Sequence, residues 1–152
     1  MIFREFKFLC ILVQWTIQDT SISLVLDLPD GFLTTSVISQ ILLHLDLNGS
    51  YYELRVEDIS WLAGPSLLEH LDMSDVDLIK ASDWLPVINS LPFLKVLKLF
   101  SCKLHHFAPL ASANFSSLNA VDLSGNIFGK TSIPSWVFGL SHLVFLDVSS
   151  KI

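Results

Sequence analysis

The chain has few charged residues and few cysteines, and this scarcity excludes several classes of protein. Only 16% of its 152 residues are charged and the formal net charge is −6, so no basic surface for nucleic acid is expected. The cysteines, Cys10 and Cys102, are too few for a disulfide framework. The apolar, uncharged run at residues 8–17 is shorter than the roughly 20 residues that a membrane-spanning helix requires, so no membrane span is expected within this chain.

The sequence also lacks the motifs of common catalytic chemistries. It has no serine-centred glycine elbow, no phosphate-binding glycine loop and no motif that pairs a nucleophile with a base. His44 and His70 recur at one place in successive repeats and His105 is followed by His106, but no cysteine or carboxylate completes a recognisable metal-ligand set. We therefore expect neither an enzyme nor a metal- or cofactor-binding protein.

The sequence does contain a repeated apolar frame. The pattern LxxLxLxxNxL begins at intervals of 24–26 residues, at Leu42, Leu68, Leu94, Leu118 and Leu143. Frame positions 1, 4 and 6 are apolar in every repeat, and positions 4 and 6 point to one side of an extended strand. Each frame therefore predicts a short strand with one buried face. A fixed period of this length with this frame is the signature of leucine-rich repeats.

The predicted fold is α/β, a leucine-rich-repeat solenoid, because one coil cannot bury its own leucines while stacked coils share a continuous core. We expect a curved horseshoe segment with a short parallel β-sheet on its concave side. Apolar residues recur every third position before the frames, as at Leu85, Ile88 and Leu91, which indicates an irregular or 3₁₀ convex side. Residues 1–38 form a non-repeat segment, and residues 39–152 hold about four and a half coils, the last cut off at the C-terminus.

Frame position 9 usually carries Asn or Cys, because a polar side chain there can satisfy backbone groups inside the turn. Asn126 and Cys102 occupy this position and are predicted to form an interior ladder. Val76 and Lys151 do not fit, so the ladder is expected to be weaker in their repeats. Cys102 is also expected to be a buried, reduced thiol.

The N-terminal segment leaves two interpretations open. Residues 8–17 follow Arg4 and Lys7 and precede small residues at Ser21 and Ser23, an arrangement typical of a weak secretory signal. The alternative is an irregular lead-in from a truncated or mis-spliced gene. Residues 22–28 are compatible with a strand, and the Pro-Asp-Gly sequence at residues 29–31 with a turn.

The last repeats contain a more specific sequence motif. Ile133 and Pro134, followed by Val137, resemble the IPxxL element of plant-type leucine-rich repeats. Together with residues 61–74, 81–99 and 105–124, the stretch looks like the ectodomain of plant receptor-like proteins of the fungal-elicitor (xylanase) receptor or disease-resistance type. The resemblance covers residues 40–152. It implies part of a receptor on the extracellular face of the plasma membrane, acting in pathogen perception and defence signalling.

The resemblance also implies partners, namely a peptide, protein or glycan ligand and a co-receptor that engages the full-length parent. The outward positions of the strands are the candidate ligand face. Position 5 carries Asp72, Lys98 and Asp122, and position 7 is polar except for Phe100. We interpret the carboxylates chiefly as default residues of the repeat rather than as a cation site. Lys98 and Phe100 depart most from that default and are the predicted contacts.

Two sequons predict a glycoprotein, at Asn48-Gly49-Ser50 and Asn114-Phe115-Ser116. Asn114 lies where the resembling family commonly carries a glycan, whereas a glycan on Asn48 would obstruct the predicted ligand face.

Two functions remain open at this level. The first is a ligand- or protein-binding module, part of a receptor ectodomain. The competing hypothesis is a truncated gene fragment without independent activity, a structural or decoy piece. It rests on the last frame, where Leu143, Leu146 and Val148 would lack the capping coil that a solenoid needs. Such a fragment is expected to aggregate. The chain alone would be secreted, or its location stays undetermined.

Overall fold

The computed structural model describes residues 26–28, 31–33, 43–48, 54–63, 67–108, 110–128 and 133–149. In these residues short strands alternate with short helical turns. The strands are β1 Leu26–Leu28, β2 Gly31–Leu33, β3 His44–Asp46, β4 His70–Asp72, β5 Val96–Lys98, β6 Ala120–Asp122 and β7 Phe145–Asp147. The helical segments are a 3₁₀ turn at Ser60–Leu62, helix α1 at Trp84–Asn89 and a 3₁₀ turn at Ser135–Gly139.

Strands β3 to β7 form a five-stranded sheet in sequence order, and every neighbouring pair is parallel. The register aligns equal frame positions, so that Leu45 pairs with Leu71 and Leu71 with Leu97. The predicted parallel sheet with one strand per repeat is thus confirmed. A parallel sheet with few helices is consistent with a leucine-rich-repeat-like α/β fold.

The core lies behind this sheet and is built from the frame leucines. Side chains at positions 4 and 6 are buried in β3 to β6, and Leu71, Val121 and Leu123 have no exposed surface. Burying a side chain of this size contributes about 1.5–3 kcal/mol, so each repeat gains several kcal/mol from its triplet. In the last described repeat, Leu143 and Leu146 are only partly buried.

The chain turns sharply after β4, β5 and β6, at frame position 8. Asp75, Ser101 and Gly125 adopt the left-handed conformation there, with φ of 64°, 56° and 70°. Glycine takes this conformation without strain and aspartate tolerates it, whereas serine does so at a cost. The shared conformation shows that the turn is set by the stacking of the repeats and not by glycine alone.

The convex side differs from the prediction in one repeat. It forms 3₁₀ turns at Ser60–Leu62 and Ser135–Gly139, as expected, but a regular α-helix at Trp84–Asn89. Trp84, Leu85, Val87 and Ile88 are all buried, and this i, i+3, i+4 spacing suits an α-helix better than a threefold turn. Pro86 is accommodated because it lies in the first turn, where its missing N–H is not required.

Strands β1 and β2 precede the parallel sheet and form an antiparallel pair, in which Leu28 faces Gly31. Two residues of the predicted turn, 29–30, lie between them and outside the described residues. β1 corresponds to the end of the strand predicted at residues 22–28, whereas β2 was not predicted. Residues 1–25 are not among the described residues, so the interpretations of the signal and of Cys10 stay predictions. No helix in the described ranges is long and apolar enough to cross a membrane.

Candidate functional site

The candidate site is the outward face of the sheet, defined here as the side chains at frame positions 3, 5 and 7 of β3 to β7. The register places position 5 in one continuous row: Asp46, Asp72, Lys98, Asp122 and Asp147. Neighbouring members of such a row lie on strands about 4.8 Å apart. The structure thus brings together Asp72, Lys98 and Asp122 as the sequence predicted.

The aspartates of this row have a structural task. Asp72 Oδ1 accepts the backbone N–H of Ser74 at 3.0 Å, and Asp122 Oδ1 accepts that of Ser124 at 3.0 Å. The same bond recurs at Asp46 and Asp147, each with the residue two positions on. For Asp147, the backbone and hydroxyl hydrogen bonds of Ser149 lower the pKa of the carboxyl. Each carboxylate therefore satisfies a backbone group where its strand ends, which explains why Asp recurs in the repeat.

This role supports the interpretation of the carboxylates as default residues of the repeat. In the part of the chain that the structure describes, no three His, Cys, Asp or Glu side chains are grouped so that they could hold a metal ion.

Lys98 replaces the aspartate in the middle of the row. Its Nζ lies 3.4 Å from Asp72 Oδ2, and the Lys98 side chain is 46% exposed whereas that of Asp72 is 5% exposed. Lys98 is therefore the accessible member of the pair. Asp72, predicted as part of the ligand face, is covered and is more accurately a supporting residue, while Asp122 is half-buried.

The pair belongs to a larger set of contacts between the second and third repeats. Lys95 pairs with Glu69 at 2.8 Å, and Lys103 pairs with Asp77 at 2.8 Å. Burial would raise the pKa of Asp77, but hydrogen bonds from Lys103 and the Ile79 backbone and the charges of Lys103 and Arg55 hold it below its usual value. We call the three lysine–carboxylate pairs the lysine ladder. It explains why cations concentrate in the third repeat.

Phe100 is the exposed aromatic at position 7, 40% exposed. Its ring lies against the turn of the next repeat, where a Cβ added to Gly125 would stand 3.1 Å from Phe100 Cε2. The glycine therefore leaves room for the ring, a dependence that sequence reasoning missed. Lys98 and Phe100 leave the same strand two residues apart and so share the outward face.

The interior ladder has the predicted hydrogen bonds. Asn126 is fully buried, and its Nδ2 donates to the carbonyls of Leu99 and Leu123 at 2.7 and 2.8 Å while its Oδ1 accepts the Leu104 N–H at 3.0 Å. The Cys102 thiol donates to the Met73 carbonyl at 3.1 Å.

Cys102 is free and buried, as predicted, and burial raises its pKa to about 12. Val76 fills the same position with an apolar side chain that cannot donate such a bond, in agreement with a weaker ladder there. Lys151 and Ser50 lie outside the described residues.

Both sequon asparagines are exposed. The backbone N–H of Asn114 donates to Asn89 Oδ1 at 2.7 Å, and the next residue, Phe115, is buried against Trp136 with ring centroids 4.9 Å apart. The loop thus holds its backbone and presents the Asn114 carboxamide to solvent. Asn48 follows β3 on the outward face. Ser50, the hydroxyl residue of its sequon, lies outside the described residues.

The tryptophans of the convex side pack at the edge of the repeats. Trp84 Nε1 donates to the His106 carbonyl at 3.3 Å. Among the described residues, the indole nitrogens of Trp61 and Trp136 are buried without a hydrogen-bond partner. A second aromatic contact, between Phe107 and Phe128 at 4.1 Å, was not predicted because the two rings belong to different repeats. These contacts are packing features of the convex side.

Comparison with known proteins gives one informative similarity. A stretch of 92 residues, 58% of this chain, is 36% identical to receptor-like protein EIX1 of tomato (Solanum lycopersicum). The matched stretch corresponds to 9% of the tomato protein, so the chain spans a small part of that relative. No protein-family model matches the chain, and no solved structure matches it either. The similarity supports a receptor-like protein of the plant type.

Proposed function

We propose that this chain is a ligand-binding segment of the ectodomain of a plant cell-surface receptor-like protein. The segment is a leucine-rich-repeat solenoid that binds a peptide, protein or glycan through the outward face of β3 to β7. The parent receptor acts with a co-receptor at the extracellular face of the plasma membrane in pathogen perception. Its role is binding and not catalysis.

The observation that carries the proposal is the break in the outward face at the third repeat. The rest of the position-5 row consists of aspartates that are committed to backbone hydrogen bonds, and these leave little for a ligand to distinguish. Lys98 and Phe100 interrupt the polar rows at positions 5 and 7 with an exposed cation and an exposed aromatic ring. Aromatic side chains are enriched at interfaces, and a neighbouring charge adds electrostatic specificity. The similarity to the tomato receptor-like protein supports the same role.

Display of the full chain on a cell surface tests the proposal. The displayed chain is probed with a random peptide library and with a panel of fungal cell-wall oligosaccharides. We expect enriched binders whose affinity falls at least about tenfold in the Lys98→Ser, Phe100→Ala double variant, as for two central contacts.

The matched control is Lys80→Ser with Phe138→Ala, because both side chains are exposed and lie outside the outward face. The control should bind as the wild type does. Equal binding by the wild type and the outward-face variant would refute the site, and the absence of any enriched binder would count against the binding role.

A further inference from the structure

Two histidines face each other at the first strands of the outward face. His44 opens β3 and His70 opens β4, and the two are register partners in the parallel sheet. Their rings are stacked, with centroids 5.5 Å apart and an angle of 28° between the planes. His44 is exposed and His70 is half-buried. The binding site proposed above rests on Lys98 and Phe100 and assigns no role to this pair.

The surroundings favour a neutral ring at His70. Burial lowers the pKa of His70 most, and the charge of Lys98 and the neighbouring His44 lower it further, while Asp72 and Asp46 act in the opposite direction. These groups approach from both adjacent strands, β3 and β5, and from the strand of His70 itself. Glu69 and Lys95, which directly precede β4 and β5, pair with each other.

The pair lies beside the backbone bonds that attach β3 to β4. The N–H groups of Glu69 and His70 both donate to the Leu43 carbonyl, at 2.9 and 3.1 Å, and the Leu47 N–H donates to the Asp72 carbonyl at 2.7 Å. Protonation of both rings would place like charges directly opposite each other on neighbouring strands, which is destabilising. Acidification is therefore expected to weaken the hydrogen-bonded contact between β3 and β4.

We propose that His44 and His70 form an acid-sensitive latch, in which stacked neutral rings support β3 on β4 and protonation loosens β3. Because the fold favours the neutral form of His70, the His70 ring stabilises the folded chain at pH values above the ordinary pKa of histidine. That stability is lost as the pH falls through the lowered pKa of His70. The latch needs no ligand and stands independently of the receptor role.

Hydrogen exchange of the full chain tests the latch. The amides of Leu47, Glu69 and His70 report on the β3–β4 bonds, and the amide of Leu99, which bonds the Asp122 carbonyl at 2.8 Å, is the internal reference. We expect the protection of the reporting amides, corrected for intrinsic exchange, to fall up to about fivefold between about pH 7.5 and about pH 5. The protection of Leu99 should not change.

Single-residue variants separate the latch from general acid destabilisation. His70→Gln should abolish the acid-dependent loss, and His44→Gln should reduce it, because burial and Lys98 still act on His70 in that variant. His142→Gln, which replaces an exposed histidine distant in sequence from the pair, should retain the full loss. In ring titrations by NMR, His44→Gln should also raise the pKa of His70, because one of its lowering causes is removed.

Because His70 is half-buried and its replacement could unfold the chain, the decision rests on His44→Gln. The proposal is overturned if His44→Gln keeps the wild-type acid response, if the pKa of His70 does not move, or if the wild-type reporting amides follow Leu99.

Discussion

The Lys98 ammonium lies 3.4 Å from Asp72 Oδ2, and the contact joins two successive repeats across the sheet. The same aspartate uses its other oxygen, Oδ1, to accept the Ser74 N–H at 3.0 Å. The buried Asp72 carboxylate therefore satisfies a backbone N–H at the end of its own strand and also pairs with a lysine of the next repeat. Its two tasks can be separated by mutation.

Replacing Asp72 by Asn removes the charge but keeps the amide oxygen that can accept the Ser74 N–H. We expect Asp72→Asn to cost about 0.2–1 kcal/mol, because Lys98 is about half exposed and solvent screens its charge. Asp72→Ala also loses the backbone bond and should cost about 1–3 kcal/mol more, because a buried donor is left unpaired. Urea unfolding of both variants measures the difference. Equal losses in the two variants would show that the backbone bond carries no stability.

Asn126 should be the most sensitive polar residue of the interior. Its alanine variant leaves the Leu104 N–H and the Leu99 carbonyl without their buried partner. Each such group costs about 1–3 kcal/mol, so the transition should shift clearly to lower urea concentration. Asn119→Ala is the control, because Asn119 is half-buried and its side chain is not part of the interior ladder. If Asn126→Ala lowers the free energy of unfolding no more than Asn119→Ala does, the interior ladder does not stabilise the fold.

Gly125 and Gly139 give a paired test of the turn that supports Phe100. Gly125→Ala combines a φ of 70° with a Cβ 3.1 Å from the Phe100 ring, and we expect a loss of about 1 kcal/mol or more and a displaced ring. A Cβ at Gly139 meets nothing within 4 Å, so Gly139→Ala should lie within about 0.5 kcal/mol of the wild type. Thermal unfolding compares the two. Similar effects would mean that the ring does not depend on the glycine.

Cys102 should be inert in the folded chain. Burial raises its pKa to about 12, so the folded state favours the neutral thiol. Stability should therefore be lost as the pH rises from 9.0, the ordinary pKa of the thiol, toward about 12. In a Cys10→Ser background, alkylation near pH 8 should require unfolding and slow on the order of a hundredfold relative to the chain in urea. Rapid labelling under native conditions would show that the thiol is accessible.

Glycosylation is predicted at Asn114, since the side chain is exposed while its loop is held by Asn89 and Phe115. Secretion of the chain from plant cells should yield a species whose mobility changes on treatment with an endoglycosidase. Asn114→Gln and Ser116→Ala should both remove that change, whereas Ser117→Ala, just beyond the sequon, should keep it. If the Asn114→Gln variant still changes mobility on endoglycosidase treatment, Asn114 is not the glycosylated residue and Asn48 becomes the candidate.

The local pattern was sufficient for the features that repeat. The alternation of positions 4 and 6 predicted the burial of Leu71 and Leu97, and the polar residue at position 9 predicted the bonds of Asn126 and Cys102. These features follow from a single repeat, because a strand with one apolar face and a turn with unpaired backbone groups have few solutions.

Other features depended on neighbours that are about 25 residues away in the chain. Asp72 was expected to face a ligand, but Lys98 of the next repeat lies over it. This outcome cannot be read from one repeat, since it depends on a side chain of another.

The sequence by itself determined the period, the strand positions and which side chains point inward, because these follow from the two-residue alternation of a strand. Only the tertiary structure decided which charges meet, which aspartates are covered and that His44 stacks on His70. The physical reason is that these contacts form between residues of different repeats. Such residues become neighbours only when the parallel strands align in register.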